Sequence, residues 1–136
     1  MDKISLFFKR MTLNPKLIFL IDGLGALLST FLLGFVLIEL QNLFGMPAEV
    51  LHFLASIAGI FALYSFICAF CINKNWRFFL KIIAIFNLSY CILTFFLVYA
   101  NQIFLTNLGV IYFSIEIIII TILALFEIKL ASLDLS

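Results

Sequence analysis

The sequence predicts an all-α membrane protein, an up-down bundle of four transmembrane helices with both termini cytoplasmic. Three observations carry this. Of 136 residues, 66% are hydrophobic and 11% charged, with a mean hydropathy of +1.31, where soluble domains carry about 25% charged residues. The apolar residues fall into four runs, about 16–40, 48–73, 77–100 and 107–128, each long enough for the ~20 residues that cross a hydrocarbon core of ~30 Å. The basic residues are one-sided: Lys3, Lys9, Arg10 and Lys16 precede the first run, Lys74, Arg77 and Lys81 flank the second connection, and Lys129 follows the fourth run. By the positive-inside rule those segments face the cytoplasm, and the membrane is read as a bacterial-type inner membrane.

The chain divides into a cytoplasmic or interfacial arm over 1–15, a single transmembrane domain over 16–130 and a cytoplasmic tail over 131–136. In the arm, Ile4, Phe7, Phe8 and Met11 recur at helical spacing while Lys3, Lys9 and Arg10 stay polar, the pattern of a short helix lying in the headgroups. Asn14 and Pro15 read as an N-cap and a proline in the first turn. The apolar run beyond Lys16 exceeds the core of a cleavable signal peptide, so it is expected to remain as the first helix. That helix carries Asp22, ~9 Å above Lys16 by the helical rise, and ends near Glu39 and Gln41. Gly45, Met46 and Pro47 break the chain, and Glu49 sits in the first turn of the second helix, where the dipole favours an acid. Asn75 is placed to cap the third helix and Trp76 suits the aromatic belt. Asn101 to Asn107 forms the last turn, and the fourth helix runs to Glu127 and Lys129. Connections this short make sequential helices antiparallel neighbours.

Within the fourth run, Glu116 lies ~15 Å from either end, near the bilayer midplane. An acid there costs roughly 2.5 to 3.5 kcal/mol to insert, so the other helices should cover it and offer partners. At ~100° per residue, polar and small residues collect on one side of each helix. The first shows Asp22, Gly25, Ala26 and Ser29; the third Asn87, Tyr90, Cys91 and Thr94; the fourth Gly109, Tyr112, Glu116 and Glu127. The second shows Ala55, Ser56, Ala58, Gly59 and Ala62, a surface for close backbone approach. Glu116, Asp22, Asn87, Tyr90 and Tyr112 are therefore expected to form one intramembrane polar cluster, a candidate binding or proton site, with Asn87 and Glu116 at nearly the same depth. Gly25, Ala55, Gly59 and Ala62 are expected to pack helices.

Other features carry less. Asp22 with Ser29 and Asn87 with Thr94 share a seven-residue spacing in the first and third helices, but the second and fourth show no match. Cys68 and Cys71 form a C-x-x-C like that of four-helix quinone-linked disulfide enzymes, yet they lie at the cytoplasmic end, where thiols stay reduced, and no second pair could pass electrons onward. His52 is the one histidine and reads as an interfacial residue, so no metal and no cofactor are expected. Lys9 and Arg10 alone make no nucleic-acid patch. Arg77 and Lys81 read as snorkelling toward headgroups.

In outline the chain is similar to the small multidrug-resistance transporters, which have four short helices and an acid in the first, the place Asp22 holds. It departs from them in lacking their tryptophan and glycine pattern in the third helix and in carrying the deeper Glu116. It is similar in size and layout to the DoxX-like proteins, without a shared motif. The leading functional expectation is a structural or accessory membrane unit, not an enzyme. The alternative is a proton- or cation-linked carrier or pore for a small solute, acting as an oligomer through Glu116 and Asp22. Third comes a redox protein using Cys68 and Cys71. The partners expected are the lipid bilayer and a second copy or a membrane complex.

Overall fold

A computed structural model describes residues 14–71 and 74–132, together with Lys3, Leu6, Lys9 and Arg10. The residues on which the arm helix rests, Ile4, Phe7, Phe8 and Met11, lie outside the described set, as do Asn73 and the tail from 133. Four helices are long and apolar enough to cross a membrane: α1 (Pro15–Glu39), α3 (Ala48–Phe70), α4 (Trp76–Ala100) and α5 (Asn107–Ser132). A single turn, α2 (Gln41–Phe44), lies in the first connection. Most large apolar side chains outside the helix contacts are exposed, Leu24, Ile60, Phe78 and Ile122 among them, a surface suited to lipid and far beyond the apolar patch a water-soluble monomer carries.

Pro15 occupies the first turn of α1, where its missing N–H costs nothing. Asn14 stands at the N-cap position, but its side chain makes no capping bond; its carbonyl accepts the Leu17 N–H at 3.1 Å. α1 is α-helical to Phe31, passes through a π-helical segment at Leu32–Val36 and resumes as α-helix over Leu37–Glu39. The extra residue that a π-turn takes up rotates the remaining face of α1. α3 starts on Pro47, whose carbonyl accepts the Val50 and Leu51 N–H groups, and stops at Phe70, before the expected end at 73, because Cys71 leaves helical geometry. α5 runs past Lys129 to Ser132, beyond the expected end at 128, because Leu130 and Ala131 are buried against Ile18, Phe19, Leu80 and Ile83.

Contacts run in opposite senses between sequential spans. Asp22, Thr30 and Gly34 of α1 meet Ser65, Gly59 and Ala55 of α3, and Asn87 and Cys91 of α4 meet Glu127 and Thr121 of α5. The bundle is thus antiparallel throughout. α1 packs closely on α3 and α4 on α5, whereas α3 and α4 touch over a shorter length and the backbones of α1 and α5 stay apart, their side chains meeting in the core at the basic end. Ala55, Ala58 and Ala62 are buried in the α1–α3 contact, where small side chains let helices approach without a hydrophobic driving force. Gly59 meets Thr30 at 3.7 Å. Gly25, expected as a packing residue, instead borders open space: a Cβ there would meet nothing within 4 Å.

Where α1 and α5 separate in the middle, their ends away from the basic side are held by the first and third connections. The Thr106 N–H donates to the Phe44 carbonyl at 3.2 Å, the Thr106 hydroxyl donates to the Leu43 carbonyl and accepts the Gly109 N–H at 3.1 Å. Gly45 turns the chain with φ +86°, a left-handed geometry glycine adopts freely. A Cβ on Gly45 would overlap the Phe104 carbonyl, and one on Gly109 the Phe44 carbonyl, so both glycines are required by close backbone approach. Apolar cores close both ends: Ile18, Phe19, Leu80, Ile83 and Leu130 on the basic side, Leu33, Leu37, Met46, Leu51 and Phe113 on the other. The polar residues lie between them.

Candidate functional site

Two tiers of hydrogen bonds occupy the middle of the bundle. In the tier nearer the basic side, each of the four spans gives one side chain. Ser65 Oγ on α3 donates to Asp22 Oδ2 on α1 at 2.6 Å, and Asn87 Nδ2 on α4 donates both to Asp22 Oδ1 at 3.0 Å and to Glu127 Oε1 on α5 at 3.2 Å. All four side chains are buried. In the second tier, Tyr90 on α4 donates its hydroxyl to Glu116 Oε1 at 2.7 Å, and Tyr112 stands one turn before Glu116 on α5. Phe61 meets the Tyr90 ring edge-on at 6.2 Å and stacks on Phe86 at 5.6 Å, which holds the phenol in place. Glu116 Oε2 is buried and has no partner.

Beside these tiers the separation of α1 from α5 leaves a cleft of about 280 Å³. Asp22, Asn87, Tyr90, Tyr112 and Glu116 all line it, so the five residues expected to form a site do share one cavity. Gly25 and Ser29 form its α1 wall, and the absence of a side chain at Gly25 contributes to its width. Leu28, Ile115 and Ile119 line the cleft and are each more than half exposed, so it opens sideways between α1 and α5 at the lipid-facing surface. Among the described residues that line it are two acids and no base.

The arrangement differs from the expected single cluster in one respect. Asn87 bonds Asp22 and Glu127, not Glu116. The cause is the length of α5: because that helix extends to Ser132, Glu127 comes level with Asn87, and Glu116 stands eleven residues farther along, ~16 Å by the helical rise. Tyr90 reaches Glu116 across the remaining gap.

Two members of the site stand outside the expected cluster. The sequence puts Glu127 on the same face as Glu116, eleven residues or about three turns away, but at the polar end of the helix. Ser65 follows Ala58 and Ala62 at spacings of seven and three, which places it on the face that α3 turns toward α1. Cys68, Cys71 and Cys91 are free, and none of them lines the cleft. Among the described residues no group of three or more His, Cys, Asp or Glu side chains could hold a metal ion. The chain matches no family model, no curated protein and no solved structure.

Proposed function

We propose that this small multi-pass membrane protein binds a small lipophilic solute carrying a positive charge or a strong hydrogen-bond donor in the cleft between α1 and α5, and exchanges it against protons on Glu116 and Asp22. One observation carries the reading. Glu116 Oε2 is buried, unpartnered and part of a carboxyl that lines a cavity reaching the lipid face. An unpartnered buried acceptor costs about 1–3 kcal/mol, and a donor brought by a ligand removes that cost. The cavity is mostly apolar with a few convergent polar groups, the usual composition of a ligand site, and at about 280 Å³ it lies just below the usual range, which suits a small ligand. Acids without a base select cations and neutral donors over anions.

The role is binding and carriage, not catalysis. The one-sided basic residues support insertion with both termini cytoplasmic in a bacterial-type inner membrane. The cleft between α1 and α5 is clasped at the first and third connections and opens at the lipid-facing surface, so carriage across the bilayer calls for a second copy. An accessory role is the second reading, favoured by the inner tier: Ser65, Asp22, Asn87 and Glu127 tie all four spans together, as a purely structural network would.

Equilibrium binding to the full chain in lipid nanodiscs, with lipophilic amines, matched neutral alcohols and matched carboxylates as ligands, separates the two. Saturable amine binding that is lost in Glu116→Gln while the variant stays folded is the expected result. Equal partitioning of all three classes, unchanged by the substitution, would overturn the binding role and leave the accessory one.

A further inference from the structure

Glu127 does not line the cleft, and its surroundings are unlike those of an acid at a helix end. It is 0% exposed, its Oε1 accepts from Asn87 Nδ2 at 3.2 Å, and its Oε2 has no partner. The same amide nitrogen donates to Asp22 Oδ1 at 3.0 Å, and Asp22 and Glu127 are direct neighbours across the α1–α5 gap.

Counting hydrogens shows what is missing. Asn87 offers two N–H groups and Ser65 one O–H to these carboxyls, and an ionised carboxylate only accepts. Three donors serve Asp22 Oδ1, Asp22 Oδ2 and Glu127 Oε1, leaving Glu127 Oε2 unserved. Two carboxylates this close would also repel strongly in a medium that screens poorly. One added proton meets both needs, because it supplies the missing hydrogen and leaves a single negative charge for the three donors to solvate.

We propose that Asp22 and Glu127, joined through the Asn87 amide, form a two-carboxyl site that binds one exchangeable proton. The groups packed around it agree with this. α3 presents the Ser65 hydroxyl to Asp22, with Cys68 less than a turn farther along that helix, and α4 presents the neutral Asn87. Lys16, one and a half turns before Asp22 on α1, lies over the Phe70 ring at 5.1 Å, toward the helix end. Ile18, Phe19, Leu80, Ile83 and Leu130 seal the basic side. Asp22 is the member that lines the cleft, so the proton arrives and leaves through it. The site stands whether or not the cleft also binds a solute.

Infrared spectroscopy of the full chain in lipid bilayers, across pH, tests this in a Glu116→Gln background that removes the other intramembrane acid. Isotope labelling of aspartate or of glutamate carboxyls assigns the protonated-carboxyl band. The expected result is a pH plateau with one protonated carboxyl per chain, flanked by two titration steps, and either Glu127→Gln or Asp22→Asn should abolish the plateau and leave a single step from the remaining acid. Two protonated carboxyls that titrate together and are halved by each substitution would overturn the shared site, as would the absence of any such band. Should either variant fail to fold, the stoichiometry of the plateau in the parent background still decides between one proton and two.

Discussion

Tyr90 donates its hydroxyl to one oxygen of Glu116 at 2.7 Å, and the other oxygen of that carboxyl is buried without a hydrogen bond. The asymmetry separates two roles that an acid in a membrane can have. A carboxyl kept to hold helices together works when its partners are satisfied, and interhelical hydrogen bonds of that kind average only about 0.6 kcal/mol. A carboxyl that binds something keeps bonding capacity in reserve beside a cavity, and Glu116 has an oxygen without a hydrogen bond and belongs to the wall of the cleft.

Tyr90→Phe should therefore cost about 0.6 kcal/mol, and no more than about 1.7, in equilibrium unfolding in micelles. It should weaken ligand binding further, because the phenol orients the carboxylate. A loss of several kcal/mol with unchanged binding would mark the pair as structural.

The two glycines of the cleft and the clasp should respond oppositely. Gly109→Ala drives a methyl into the Phe44 carbonyl and should destabilise by about 1–3 kcal/mol, the range for overpacking. Gly25→Leu points into open space and should leave the melting temperature nearly unchanged while filling the cleft and abolishing ligand binding. Thermal unfolding beside a binding isotherm reads both.

The pH dependence expected of amine binding follows from the proposed ion pair with Glu116. A protonated Glu116 accepts no salt bridge from an ammonium group, so affinity should fall as the solution is made more acid, and the fall should vanish in Glu116→Gln together with the binding itself. Neutral donors should show a weaker dependence. Affinity that rises on acidification would mean that the neutral carboxyl is the binding form.

Cysteines placed at Gln41 and Gln102 should react with an impermeant thiol reagent from outside intact cells, and one at Asn75 should not. Replacing both Cys68 and Cys71 by alanine should leave expression and binding intact, since neither lines the cleft. Reaction at Asn75 would reverse the orientation drawn from the basic residues.

The four spans are legible in the sequence because a run of some twenty apolar residues has few other fates, and periodicity alone puts Asp22, Asn87, Tyr90, Tyr112 and Glu116 on inward faces. What periodicity does not contain is the axial register of one helix against another. Asn87 meets Glu127 because α5 continues through Leu130 and Ala131 into a buried contact with α1 and α4, whereas Lys129 reads as the point where the membrane ends. The π-turn at Leu32–Val36 leaves no compositional mark, since it differs from α-helix by one residue in a turn. Gly25 and Gly59 look alike in sequence. One faces the Thr30 side chain and the other a cavity, a distinction made only by the parting of α1 from α5.

The most direct test of solute–proton exchange in this cleft is proton movement across vesicles containing the full chain when a lipophilic amine is added. Amine-dependent proton flux is expected in wild type, with loss of that flux in Glu116→Gln and in Gly25→Leu, and partial retention with a shifted pH dependence in Glu116→Asp. Flux of equal size in wild type and Glu116→Gln, or none in any of the proteins across the amine panel, would contradict it.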